Sequence, residues 1–129
     1  MEITVAGKVQ LGEAHLALDK VIEMGVSDYV FLHFPEGAIA CNANKVKTTC
    51  PAVDVPAGLI KGSAGAGDAF AAGILLGIHE NWPIYECLKL GVCAGAASLF
   101  DESCSDGLKA IEDVKSLEGK FGLKPINAY

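Results

Sequence analysis

The residues best suited to chemistry form a short glycine-rich segment that ends in a carboxylate. Residues 62–68 read Gly-Ser-Ala-Gly-Ala-Gly-Asp, and an uncharged apolar run follows from Ala69 to Ile78. Glycine lets the backbone turn sharply and approach a ligand closely. If a helix begins here, its first N–H groups have no partner within the helix, and they and the helix dipole favour a bound anion. The segment therefore predicts an anion-binding turn.

Asp68 is the exceptional residue of this segment. A carboxylate beside an anion site repels a phosphate, so its presence calls for a separate reason. Two interpretations stay open on spacing alone. Asp68 either takes part in a reaction as a base or caps the helix N-terminus, where Asp is among the favoured residues.

Other nucleotide-binding and nucleophile motifs are excluded. No G-x-x-x-x-G-K-[ST] occurs, so the segment is not a P-loop. A dinucleotide-binding turn that starts at Gly65 would place Phe70 at a position that must be small. Ser63 is followed by Ala64 and Gly65, which does not make a G-x-S-x-G nucleophile turn.

Residues 65–70, Gly-Ala-Gly-Asp-Ala-Phe, resemble the second signature of the ribokinase-like (PfkB) carbohydrate kinases, D-T-x-G-A-G-D-x-F. The resemblance implies that the chain takes part in ATP-dependent phosphoryl transfer to a sugar hydroxyl, with Mg²⁺ bound to the ATP. By position, Asp68 would be the catalytic base. The amides of Gly65, Ala66 and Gly67 would form an anion hole for the transferring phosphoryl group.

The front of the signature departs from the family. Gly62 and Ser63 stand where the family usually has Asp and Thr. In several members those two residues help to build a monovalent-cation site. We therefore expect Mg²⁺ dependence with little activation by K⁺, and we assign no residue of this chain as a metal ligand.

The elements before the turn follow from periodicity and turn residues. Apolar residues at helical spacing predict a helix from Leu11 to Met24 that ends at Gly25. The apolar run 29–34 predicts a strand buried on both faces, as in a parallel sheet, with His33 as a core histidine. Two short strands, 38–41 and 46–50, follow as a hairpin.

After the turn, the apolar run 69–78 predicts a buried helix. Pro83 suits the first turn of the next helix, which extends to about Leu99. Gly91 and Gly95 keep one face of that helix small, so that either a neighbouring helix or a flat ligand can approach it. A last helix is predicted from Leu108.

This order of elements resembles the C-terminal part of the ribokinase-like fold. That fold is Rossmann-like α/β, with three α/β/α layers, a mostly parallel sheet and a small hairpin. Residues 1–129 would then be one nucleotide-binding and catalytic-base portion of a kinase domain. The resemblance also implies that Glu36 and Gly37 form a turn near the nucleotide, and that Gly91 and Gly95 lie beside the adenine.

Composition excludes several classes of partner. The net charge of −6 and the absence of a basic patch argue against nucleic acid. No apolar run is long enough to span a membrane. The five cysteines are odd in number and form no C-x-x-C pair, which favours reduced thiols in a cytoplasmic protein. Residues 1–4 lack the basic start of a secretory signal.

The resemblance covers only the last part of a family chain, and the family's sugar-binding half has no counterpart here. We therefore expect a fragment that is inactive alone and that needs the N-terminal half or a second copy as a partner. The hydrophobic fraction of 51% supports a buried contact of this kind. Two alternatives stay open, namely a non-catalytic nucleotide-binding or regulatory module, and a small α/β interaction domain with an accidental motif.

Overall fold

The computed structural model describes residues 4–5, 8–62, 65–100 and 111–125. Its secondary structure alternates short strands with helices and ends in helices. In chain order the elements are β1 (Thr4–Val5), β2 (Lys8–Val9), α1 (Leu11–Glu23), β3 (Tyr29–Phe34), β4 (Gly37–Asn42), β5 (Lys47–Pro51), a 3-10 turn (Ala57–Leu59), α2 (Ala66–His79), α3 (Ile84–Ser98), α4 (Ile111–Lys115) and α5 (Leu117–Phe121).

The main sheet has the strand order β3-β4-β5, and both pairings are antiparallel. The expectation of a mostly parallel sheet is therefore wrong for the described residues. Only a short turn separates Phe34 from Gly37, which pair directly across it, and a parallel pair would need a long crossover there. An apolar run in the sequence does not report the direction of the neighbouring strands.

Helices cover both faces of this sheet, which gives the expected three α/β/α layers. Ile39 and Cys41 of β4 pack against α1, with Leu18 and Ile22 among the contacts. The alternate residues of β4 face the other way and pack against α2 and α3; they include Ala38 and Ala40. The period of two along β4 therefore separates two cores, and the α/β fold class is confirmed.

The centre of the sheet is β4 rather than β3. Five of the six β4 residues are buried, whereas β3 is mostly half-buried and Tyr29 is 40% exposed. The prediction that 29–34 is buried on both faces is wrong in degree: Phe31 packs on one side of the sheet and Val30 and Leu32 on the other, but most of this edge strand stays half-buried. The predicted hairpin is confirmed, and its first strand is the most buried one.

Helices α2 and α3 pack closely through glycines. A side-chain carbon at Gly73 would lie 2.9 Å from the Gly91 Cα atom, so the two backbones approach with no room for a side chain. Helix α3 is buried along most of its length. Helix α2 buries only one face, and Leu75 on its outer face is 66% exposed. The expectation that 69–78 is buried all round is therefore wrong.

The other helix predictions agree closely with the structure. Helix α1 ends before Gly25, whose φ of 110° is the left-handed conformation expected after a helix. Pro83 is the N-cap of α3 rather than part of its first turn. Val114 of α4 is buried. Residues 101–110, which include the predicted start of the last helix at Leu108, lie outside the described residues.

The cysteines of the described residues are free and buried, namely Cys41, Cys50, Cys87 and Cys93. Burial raises the pKa of Cys50 and of Cys93 to about 11, so both thiols stay protonated at neutral pH. Cys104 lies outside the described residues.

Within the part of the chain that the structure describes, no helix is both long and apolar enough to cross a bilayer.

Candidate functional site

The glycine-rich turn leads directly into α2. Gly65 is the N-cap and has a φ of 83°, a left-handed conformation that glycine adopts without strain. Ala69 donates the first helical hydrogen bond to the Gly65 carbonyl oxygen, at 2.9 Å. The N–H groups ahead of it, those of Ala66 and Gly67 included, therefore have no acceptor within the helix. This is the backbone geometry expected of an anion site.

Asp68 lies in the first turn of α2, and its side chain is exposed. The N-cap interpretation is wrong, because Gly65 holds that position and receives no side-chain cap. Asp68 therefore places a carboxylate in solvent beside the free N–H groups, where an incoming substrate can reach it. Its role as a base stays a prediction.

A cavity of about 420 Å³ opens beside the start of α2. Its wall is mostly apolar, as is typical of ligand sites that contain a few placed polar groups. The lining residues come from the end of β3, the segment after β5, the start of α2, the second half of α3, and the C-terminal segment 122–125, namely His33, Phe34, Pro35, Ala52, Val53, Val55, Ile60, Ala66, Gly67, Val92, Gly95, Ala96, Leu99 and Lys124.

Three of the predicted site residues meet in this cavity. Ala66 and Gly67 line it from the start of α2, and Gly95 lines it from α3. A side-chain carbon at Gly95 would lie 3.4 Å from the Ala66 carbonyl oxygen, so glycine here keeps the wall close to the helix start. The structure therefore brings together two of the three predicted anion-hole residues and one of the two residues expected beside the adenine, whereas Gly65 and Asp68 do not line the cavity.

The other predicted residues lie outside the cavity lining. Gly91 faces α2, where a side-chain carbon would come within 2.9 Å of the Phe70 ring. The sequence left open whether Gly91 makes room for a neighbouring helix or for a flat ligand. In the structure it makes room for helix α2. Glu36 and Gly37 form the β3–β4 turn next to Pro35, which does line the cavity. One carboxylate oxygen of Glu36 is buried without a hydrogen-bond partner among the described residues.

His33 lines the cavity although its sequence position suggested a core residue. Its ring stacks on Phe70 with centroids 4.2 Å apart and planes inclined by 6°. Burial lowers the pKa of His33 from its ordinary value of 6.5, so the imidazole is neutral at physiological pH. A polar edge of the ring therefore borders the cavity near Gly95 and Ala66.

Lys124 is the charged lining residue among the described residues, and sequence reasoning did not identify it. It comes from the C-terminal segment, which joins the sheet side through a backbone hydrogen bond from Lys124 to Ala52 of 2.7 Å. Some sixty residues separate it from the turn at Gly65. Neither periodicity nor a local motif marks such a residue, because only the folding of the chain brings it to the cavity.

The arrangement suits an anionic ligand with a flat apolar part. Backbone N–H groups and one lysine border the cavity, and the remaining wall fits an uncharged ring. The described residues contain no group of three or more side chains that could hold a metal ion.

Comparison with known proteins identifies the family. The model of the pfkB family carbohydrate kinases matches residues 4–111. A 5-dehydro-2-deoxygluconokinase of Geobacillus thermodenitrificans is 31% identical over 86 residues, which is 67% of this chain and 25% of that protein. A 1-phosphofructokinase of Bacillus subtilis is 34% identical over 83 residues, or 64% of this chain and 26% of that protein.

Solved structures agree on the fold. A putative ribokinase II from E. coli superposes with a TM-score of 0.71 at 18% identity, over 81% of this chain and 32% of that one. Phosphofructokinase-2 from Escherichia coli, solved with potassium, superposes with a TM-score of 0.69 at 21% identity, over 93% of this chain and 36% of that one. The chain thus spans about a quarter of the curated relatives and a third of these structures. With a family model that covers most of its length and a partial ribokinase-like fold, this chain belongs to the pfkB family of carbohydrate kinases.

Proposed function

We propose that this chain is the nucleotide-binding and catalytic-base portion of a kinase that transfers a phosphoryl group from ATP to a sugar hydroxyl. The observation that carries the proposal is the start of α2. There, free N–H groups line an apolar cavity of about 420 Å³, and a solvent-exposed carboxylate follows within one turn. An anion site, a ring-sized cavity and a reachable base are the three parts that such a transfer needs.

In this mechanism Asp68 accepts the proton of the sugar hydroxyl. The hydroxyl oxygen then forms the new bond to the γ-phosphorus, and the bond from that phosphorus to the leaving ADP oxygen breaks. The amides of Gly65, Ala66 and Gly67 stabilise the negative charge on the transferring group. Catalysis of this kind depends mainly on positioning and on electrostatic stabilisation, which a rigid helix start supplies.

The adenine would occupy the apolar part of the cavity, beside Gly95 of α3. Mg²⁺ would accompany ATP and be held mainly by phosphate oxygens and water. We expect a Mg²⁺ requirement without K⁺ activation, because Gly62 has no carboxylate to offer a monovalent cation.

The sugar would be held by residues outside this chain, since the chain spans about a quarter of its curated relatives. The names of the two relatives indicate that one acts on a sugar acid and the other on a sugar phosphate. A substrate panel should therefore include 5-dehydro-2-deoxygluconate and fructose 1-phosphate. The N-terminal half of a kinase, or a second copy of this chain, is the expected partner.

The proposal is tested in two steps. Titration of the 129-residue chain with ATP comes first, and an absence of binding would contradict the proposal and favour a small interaction domain. The second step adds the N-terminal portion of the B. subtilis relative and follows ADP release across the sugar panel. That relative's own C-terminal portion serves as the matched control. The chain is a non-catalytic nucleotide-binding module if it binds ATP but does not restore turnover, while the control does restore it.

A further inference from the structure

Lys124 contributes the one charged side chain that lines the cavity within the described residues. Its ammonium group donates a hydrogen bond to the Pro35 carbonyl oxygen at 3.4 Å, which is long for such a contact. An ammonium group has three donors, so further donors stay available. No carboxylate of the described residues forms an ion pair with it.

Lys124 lies beside the end of β3, which also lines the cavity. Pro35 follows the end of β3, two residues after His33. His33 lies close to Gly95. A side-chain carbon at Gly95 would lie 3.4 Å from the Ala66 carbonyl oxygen and 3.7 Å from the His33 ring. His33, Lys124 and the first α2 residues Ala66 and Gly67 thus all line the same cavity.

The charge of the whole chain makes this lysine significant. The formal net charge is −6, and a nucleotide triphosphate is itself strongly negative. The free amides at the start of α2 supply only partial positive charge. An unpaired cation at the border of the same cavity offsets the repulsion directly, because a low-dielectric wall strengthens the attraction between opposite charges.

We infer that Lys124 binds the phosphate portion of the nucleotide, and thereby makes the C-terminal segment part of the nucleotide site. The inference rests on the proposed function and adds a specificity residue to it. Lys124 would favour phosphorylated nucleotides over the nucleoside. The apolar wall would contribute equally to both, because the ring is the same in each.

The test compares ATP with adenosine on the 129-residue chain and its variants, by ligand-observed NMR titration. Lys124→Met keeps the apolar stem and removes the charge. It should weaken ATP binding about tenfold, since a hydrogen bond to a charged group is worth at least that much in affinity, and it should leave adenosine binding unchanged. Lys124→Arg should keep most of the ATP affinity. Lys120→Met, on the exposed side of α5, is the matched control and should change neither.

Three outcomes would overturn the inference and leave the proposed function standing. Equal losses for ATP and adenosine would mean that Lys124 only holds the C-terminal segment against the β3–β4 turn. Unchanged ATP binding in Lys124→Met would mean that the ammonium group does not reach the phosphates. Recovery of ATP affinity in Lys124→Met with Glu36→Gln would assign Lys124 to neutralising the buried Glu36 carboxylate instead. Loss of all ATP binding by the unsubstituted chain would contradict the proposed function itself, and this inference with it.

Discussion

At the scale of single residues, Asp68 carries the chemical hypothesis. Its exposed carboxylate lies in the first turn of α2 and does not cap the helix. Asp68→Asn keeps the shape and the hydrogen-bonding reach but removes the base. In an active assembly of this chain with an N-terminal half, we expect kcat to fall by about 10²–10⁴-fold with little change in ATP affinity. Near-normal turnover, measured as ADP release, would show that Asp68 is not the base.

His33 makes a separate prediction about pH. Its pKa is lowered on folding by burial, so the unfolded chain binds a proton more readily as the pH falls below 6.5. Stability contributed by the neutral ring is therefore complete above that pH and is lost on acidification. The pKa of His15 is lowered as well, mainly by burial. Protonation of His15 therefore also lowers the stability of the fold as the pH falls.

The contribution of His33 can be isolated by His33→Phe, which retains a ring to stack on Phe70. We expect the free energy of unfolding of the variant to fall less steeply with acidification than that of the unsubstituted chain. Urea unfolding followed by circular dichroism across the acidic range measures both slopes. Identical slopes would mean that His33 does not contribute to the pH dependence.

At the scale of elements, the contact between α2 and α3 decides how the site is held. Gly73 leaves no room for a side chain, because a carbon there would lie 2.9 Å from the Gly91 Cα atom and 3.0 Å from the Leu90 carbonyl oxygen. Both obstacles are backbone atoms, which cannot rotate away. Gly73→Ala should therefore destabilise the fold by about 1–3 kcal/mol through overpacking.

Gly12→Ala in α1 is the control for this substitution, because nothing lies within 4 Å of its new carbon. Alanine is the better helix former, so Gly12→Ala should leave stability unchanged or raise it by up to about 1 kcal/mol. Thermal or urea unfolding of the two variants provides the comparison. A Gly73→Ala variant as stable as the unsubstituted chain would mean that the helices separate readily.

At the scale of the whole molecule, the outer face of α2 lacks a cover. Leu75 and Ile78 are 66% and 41% exposed, and Ala71 and Ala72, one turn earlier on the same helix, are small, apolar and exposed. Apolar patches of this kind mark contact surfaces in soluble domains. We therefore expect the isolated chain to self-associate or to bind hydrophobic dyes, and to release no ADP with any sugar.

Leu75→Glu tests this surface by placing a charge at its centre. Self-association, measured by sedimentation, should decrease markedly. Leu16→Glu on α1 is a matched control, because Leu16 is 51% exposed but has the charged neighbours Glu13 and Lys20 on its helix. It should have the smaller effect. A monomeric unsubstituted chain that phosphorylates a sugar would contradict both the surface assignment and the placement of the sugar site outside these residues.

Local patterns determined the elements of this protein and the start of its site. Helical spacing and Gly25 define α1, and the turn chemistry defines the hairpin. The Gly-Ala-Gly-Asp segment leads into α2, which begins at Ala66, three residues before the predicted apolar run. These features depend on residues that are neighbours in the chain, so their physical causes are visible in the sequence. The family resemblance rested on the same local segment, and the family is confirmed.

Tertiary structure alone decided which surfaces are covered and which distant residues meet. The run 29–34 lies at a sheet edge, and α2 exposes one face, because burial depends on what packs against an element and not on its own composition. Gly91 serves a helix contact whereas Gly95, one turn on, lines the cavity. Lys124 reaches that cavity from the C-terminal segment, since the free energy that places it comes from contacts between residues far apart in the chain.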